Sequence, residues 1–264
     1  MAERHLAPAL FVTWQDRDSR KIFPVGRLVR LVEPEGAYEF AYVRGALDAA
    51  AAGFSPFLAF PSLDGVYRSR DLPPFFRNRV MAHGRPDYDS FVRRLALVPD
   101  TAAPDDILAR GGGVRATDTI EVFAEPVPLD DGKWQAIFFA RSIRHVGEGE
   151  TVAASLQVGQ RLFCMLDIQN ARNPRAVALR TEDHRILGFC PDYLTEHLDA
   201  QLIEDRSAAV TVLALNPGPA PVHYRVLCEL RVAAAGGVRP FRSARLEPIV
   251  ASATKIAAAI DDVA

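Results

Sequence analysis

Residues 168–180 read IQNARNPRAVALR. A run of amides and guanidiniums passes directly into an alternating apolar strand. One Asn or Gly is enough to shape the backbone of a turn. Here Gln169, Asn170, Arg172, Asn173 and Arg175 crowd a single one. The text on either side is that of short strands: RLFCMLDI (161–168) before, RAVALRTED (175–183) and RILGFCP (185–191) after. The stretch therefore reads as the polar rim of a β-structure.

Working outward, TDTIEVFAEP (117–126) and KWQAIFFARSIRHV (133–146) read as strands paired across the turn LDDG (129–132). DYLTEHLDAQLIE (192–204) reads as a helix, with Leu194, Leu198 and Leu202 as its apolar stripe and Tyr193 and His197 at i, i+4. AVTVLALN (209–216) and VHYRVLCELRV (222–232) are two more strands. Short strands, frequent turns and one main helix predict a small barrel.

The first part of the chain differs. ALFVTWQD (9–16), FPVGRLVRLV (23–32) and AYEFAYV (37–43) read as strands, with Tyr38, Phe40 and Tyr42 on one face. An Ala-rich helix follows and stops at Gly53; FLAFP (57–61) reads as a short buried strand. LPPFFRNRVM (72–81) is helical, with Pro in its first turn. PDYDSFVRRLAL (86–97) starts on an Asp cap and puts Tyr88, Phe91, Val92 and Leu95 on one face. PDDILARGGG (104–113) is an acid-capped helix. Its glycines follow a helix and precede a strand, so they read as a stop and hinge, not a phosphate loop. The expected fold class is α+β. A β-rich domain with several helices (1–116) precedes a small barrel with one main helix (117–250) and a tail or short helix (251–264). The boundary falls at 111–118, or else near 130.

Composition narrows the function. The chain has 264 residues, 49 % of them hydrophobic, and a net charge of −2. That allows a packed core and gives no whole-molecule field for nucleic acid. No apolar run is long enough for a membrane helix, and no signal peptide is read, so the expected location is cytoplasmic. Only Lys21, Lys133 and Lys255 are lysines; every other cation is Arg, whose flat fork suits phosphate and stacking, although an Ala- and Arg-rich chain also reflects base composition. Arg141 to Arg185 holds seven Arg against five acids, a local excess of two. Cys164, Cys190 and Cys228 are widely spaced in apolar text and read as small buried hydrophobes. The six histidines show no metal-ligand spacing, no nucleophile motif is present, and the pairs Asp105–Asp106, Asp130–Asp131 and Asp261–Asp262 read as caps and surface charge. No enzyme, metal or cofactor is expected.

Three pieces in fixed order, SIRH (142–145), DIQNARNPRAVAL (167–179) and GFCPDYL (188–194), resemble the motifs of the HIRAN domain, over about residues 118–235. That resemblance implies an OB-like barrel that binds single-stranded DNA at its 3′ end. It places Arg144 and His145 at the Arg–aromatic pair that contacts phosphate and stacks on a base. Asn170 falls at a polar base contact, and Phe189 lines the pocket. Arg172 stands where an aromatic is common, and Asn173 where the family has the Asp that holds the terminal hydroxyl. Asn173 can accept from a hydroxyl but carries no charge to repel a terminal phosphate. The first part, about 9–116, is similar to the N-terminal subdomain of HipA-type kinases, through VGRLVRL (25–31), YEFAYV (38–43), FLAFPSLDGVYRSRDLPPFFRNRVM (57–81) and ILARGGGVRATD (107–118). No kinase core is read in the sequence, so no phosphorylation is expected.

Two functions follow as expectations. One is non-catalytic binding of single-stranded DNA or DNA ends, with repair, defence and toxin control all open as processes. In the competing bland reading, Arg144 and Arg172 are solvated or pair with Glu148 and Asp167, and the loop merely caps a strand. The other function is a regulatory module that binds a HipA-like kinase or another protein through residues 1–116, the barrel serving as scaffold. Its contacts would include Tyr67, Phe75, Phe76 and Arg79, although LPPFF also reads as core.

Overall fold

The computed structural model describes residues 8–31, 36–195, 198, 202, 208–233 and 243–250. Expectations for 251–264 and for His197 lie outside them. The described residues form two compact units. One takes those up to Tyr88, Pro99–Glu125 and 243–250; the other takes Asp89–Val98 and the residues from Pro126 to 233. Each is built on one antiparallel sheet, which agrees with an α+β class.

The first sheet has the order β4–β3–β2–β1–β5: β1 (Leu10–Gln15), β2 (Ile22–Arg30), β3 (Tyr38–Tyr42), β4 (Val66–Ser69) and β5 (Ile120–Ala124). Period-two alternation puts Tyr38, Phe40 and Tyr42 on one face, where they meet Phe54, Phe60 and Phe76. The Tyr42 hydroxyl donates to the Phe60 carbonyl and accepts from the Phe57 amide, both at 2.7 Å, and burial pushes its pKa to about 12. Those bonds explain one correction. Residues 57–61 are not a strand but a turn, closed by the Phe60 amide on the Phe57 carbonyl and tied to Tyr42. Helices α1 (Gly45–Ala51), α2 (Pro74–Arg77) and α4 (Pro104–Gly111) belong to this unit. The residues expected to contact a partner are spent inside it. Phe76 is fully buried, and Phe75 and Tyr67 pack on the core. The buried Arg79 side chain forks onto Asp118 at 2.6 and 3.1 Å and lies 4.7 Å from the Phe75 ring.

Two further corrections concern the division of the chain. β5 does not pair with the strand that follows it; it pairs with β1, Phe11 opposite Phe123. The LDDG turn exists, but the strand before it is the two-residue β6 (Val127–Pro128), because Pro126 and Pro128 interrupt the run. Residues 243–250 return to the first unit, with Pro248 bridged to Val43 and the Ile249 amide on the Tyr42 carbonyl. By contact the first unit runs to Glu125, between the two boundaries read from the sequence, and it also takes 243–250.

The second sheet has the order β10–β9–β8–β11–β12–β7–β6: β7 (Lys133–Phe139), β8 (Arg161–Asp167), β9 (Ala176–Arg180), β10 (Ile186–Phe189), β11 (Ala209–Leu215) and β12 (Val226–Ala233). Among the described residues no continuous ladder closes it into a barrel. One bridge, Arg141 to Phe189, joins the chain just after β7 to the end of β10. Bulges in β10 and β11 bend the strands. Leu162, Val177, Leu179, Leu187, Val210, Val212, Leu227 and Cys228 are buried. β7 ends at Phe139, so SIRH is no strand; Ile143–His145 is a 3-10 turn, as is Val222–Tyr224 ahead of β12. A helix that the sequence reading missed, α5 (Gly149–Ser155), packs on β10 and on the 143–145 turn. Helix α3 (Tyr88–Arg94) contributes Asp89–Arg94 to this unit. Residues 192–195, 198 and 202 are helical, with Leu194 and Leu198 buried. All three cysteines are free thiols, Cys190 and Cys228 buried and Cys164 partly so.

Candidate nucleic-acid interface

The three segments singled out in the sequence meet at the end of β10. Phe189 exchanges both backbone hydrogen bonds with Arg141, at 2.8 and 2.9 Å. The contact is close because Gly188 lies against the Arg141 carbonyl; a Cβ there would clash with it. On the other side the Cys190 amide donates to the Val177 carbonyl at 2.8 Å. The 3-10 turn bearing Arg144 and His145 and the polar loop before β9 thus flank one strand end.

The loop is held by its own amides. The Asn170 side chain donates to Asp167 at 3.0 Å and accepts from the amides of Arg172 and Asn173 at 3.1 and 3.2 Å. This is an Asx-type turn. Asn173 accepts from the Arg175 amide at 2.9 Å and donates to Asp192 at 3.0 Å and Thr195 at 3.3 Å. It fastens the loop to the helical residues 192–195. Both Asn side chains are therefore scaffold first, with few lone pairs left for a ligand. What the scaffold presents is Arg172, exposed, with its backbone fixed and its guanidinium in no ion pair among the described residues. Asp167, one of its expected partners, is occupied by Asn170.

Across the strand end, Arg144 and His145 are exposed on their turn, and Arg144 forms no ion pair with Glu148 among the described residues. The 143–145 and 222–224 turns pack together, which brings in His223. Burial and then the positive charge of Arg141 and Arg144 hold the His223 pKa below the usual imidazole value. Phe189 is half-buried.

Strand register adds residues that the sequence reading did not select. Arg141 is bridged to Phe189, Phe189 is opposite Ala178, and Ala178 is opposite Met165. Directly opposed residues share a face, so these four form one row, in which Arg141, Phe189 and Met165 are at least partly exposed and Ala178 is buried. Ala178 is covered between the larger Met165 and Phe189. Met165 and Ile168 are exposed apolar side chains beside the arginine loop. The alternation in RLFCMLD was the available signal, but the pairing that selects the face was not.

No family model matches the chain, and no curated protein does. Two solved structures are similar to parts of it. A protein from Lactobacillus plantarum is 16 % identical with a TM-score of 0.31, over 38 % of this chain and 97 % of its own. The HIRAN domain of human HLTF is 9 % identical with a TM-score of 0.28, over 39 % of this chain and 81 % of its own. Among the described residues no group of three or more His, Cys, Asp or Glu could hold a metal, and no helix is long and apolar enough to cross a membrane.

Proposed function

We propose that the second unit binds single-stranded nucleic acid, DNA or its 3′ end in the first instance, by contact alone and without chemistry of its own. The observation that carries this reading is that the turn with the exposed Arg144 and the loop with the exposed Arg172, both outside any ion pair among the described residues, flank the strand that ends in the half-buried Phe189. Guanidiniums neutralise phosphates, and an aromatic edge with flat cations accepts a base by stacking. The order of SIRH, the Asn–Arg loop and GFCP, which resembles the HIRAN motifs, points the same way. Asn170 and Asn173 set the geometry, and the arginines make the contact. Asp192, hydrogen-bonded to Asn173, puts a carboxylate beside the position where that family has its hydroxyl-binding Asp.

The test is anisotropy of a labelled oligothymidylate with a free, a phosphorylated or a base-paired 3′ end. Saturable binding at low salt is expected, weakening with added salt by about one phosphate's worth of slope for each arginine engaged. Arg144→Ala/Arg172→Ala should weaken it at least about tenfold, the loss of two charge-assisted contacts. No saturable binding, or an unchanged affinity in the double variant, rejects the proposal.

A further inference from the structure

The row through Phe189 has a neighbour. Two positions along the strands, Phe163 on β8 stands opposite Arg180 on β9, and Arg180 opposite Ile186 on β10. Two residues of strand span about 6.7 Å, close to the backbone repeat of an extended single strand. The Arg180 guanidinium lies 4.9 Å from the Phe163 ring centroid, and the Arg161 guanidinium lies 5.0 Å from the same centroid. Arg161 is exposed, and Phe163 and Arg180 are partly so.

Two cations on one ring repel each other, and a carboxylate would ordinarily sit between them. None does among the described residues. Arg180 donates to the Thr181 carbonyl at 3.2 Å and meets His184 Nδ1 at 3.0 Å, neither of which is anionic. The acids at the two ends of this hairpin form no ion pair with either arginine among the described residues: Asp167 accepts from Asn170, Asp183 takes Arg185 Nε at 2.7 Å and the Thr181 hydroxyl, and Glu182 is exposed on the turn. The assembly has an aromatic body, two flat cations and an uncompensated positive charge, one strand step from the Phe189 row. An anion with a planar group attached satisfies all of these at once.

We infer that Arg161, Phe163 and Arg180 form a second nucleotide subsite, on which a single strand held at the end of β10 lays a further base and phosphate as it runs across β9 and β8. The inference rests on the proposed function above and adds the direction and minimum length of the ligand. The guanidiniums lie over the ring, so the base stacks on the arginines and the phosphates meet their edges.

Oligothymidylates of two to eight nucleotides, titrated into the full chain, test it. Affinity should rise when the strand is long enough to leave the first row, then level off. In Arg161→Ala/Arg180→Ala, the longer oligonucleotides should bind about 5- to 100-fold more weakly, the worth of one stacked base, while dinucleotide binding stays as in the wild type. Arg161→Lys/Arg180→Lys keeps the charge but removes the flat fork; it should retain the salt slope and still lose affinity for the longer strands. Long-strand affinity unchanged in the Ala variant, with Arg144→Ala/Arg172→Ala still weakening binding, overturns the second subsite alone. Equal loss for dinucleotide and octanucleotide also overturns it, as does displacement of the octanucleotide by oligoglutamate at matched charge. Failure of the wild type to bind any oligonucleotide overturns both readings.

Discussion

Asn173 shows how one side chain can decide between two kinds of site. Its amide nitrogen is shared between the Asp192 carboxylate and the Thr195 hydroxyl, and its oxygen holds the Arg175 amide. Only an amide can donate and accept in this way. Asn173→Asp, which restores the acid of the resembled family, would set two carboxylates face to face where a hydrogen bond now lies. At pH 7 the variant should be less stable by about 1–3 kcal/mol, from lost hydrogen bonds and a partly screened like-charge pair. The repulsion raises the folded pKa of the pair above its unfolded value. Stability should therefore recover as the pH falls through that raised value and one carboxyl takes a proton, with recovery complete below about 4. Urea unfolding at pH 7 and pH 3.5 measures it. A deficit that is the same at both values would mean that the loss is one of geometry and not of charge.

Among elements, legibility followed the range of the interaction that fixes each one. Strands β1, β2, β3, β8, β9 and β10 stand where alternation places them, because their period is written in neighbouring residues. The polar loop was recognisable for the same reason, since an Asx turn is a local object. What failed depended on distant partners. FLAFP has strand composition, but the Tyr42 hydroxyl takes its amide and carbonyl into a turn. β5 looked like the partner of β7 by proximity and pairs instead with β1, over a hundred residues away. The face of β8 that carries Phe163 and Met165 could be chosen only after its register with β9 was known. The glycines after α4 were legible because the signal is backbone chemistry. Gly112 closes the helix at φ 75°, its amide on the Leu108 carbonyl, and its own carbonyl takes the Val122 amide. Gly112→Ala should cost about 1–2 kcal/mol, the penalty for a Cβ in the left-handed region, and Gly112→Asn less. Equal thermal midpoints for wild type and Gly112→Ala would show that the cap is not needed to stop the helix.

At the scale of the whole molecule, the second unit is not one stretch of chain. The sequence suggests a cut near 116, but a fragment of residues 117–250 would carry β5 without β1 and leave behind Asp89–Val98. Those residues belong to the unit's interior. Val92 and Leu95 are fully buried, and Phe91 meets the Tyr224 ring edge-on at 5.9 Å. The Asn216 amide donates to the carbonyls of both Arg94 and Tyr224, at 2.8 and 2.7 Å, tying α3 to β11 across 122 positions of sequence. Burying two aliphatic side chains of this size contributes about 3–6 kcal/mol, a large share of the 5–15 kcal/mol that holds an ordinary domain. The 117–250 fragment should therefore be marginal, and the unpartnered apolar strand Ile120–Ala124 should make it aggregate. A fragment that begins at Pro126 and carries residues 88–98 through a flexible linker should unfold at a clearly higher urea concentration than one that begins at Pro126 without them. If the two midpoints coincide, α3 is not part of this core. If they separate as expected, oligonucleotide binding by the spliced fragment, compared with the full chain, tells how much of the interface the second unit carries by itself.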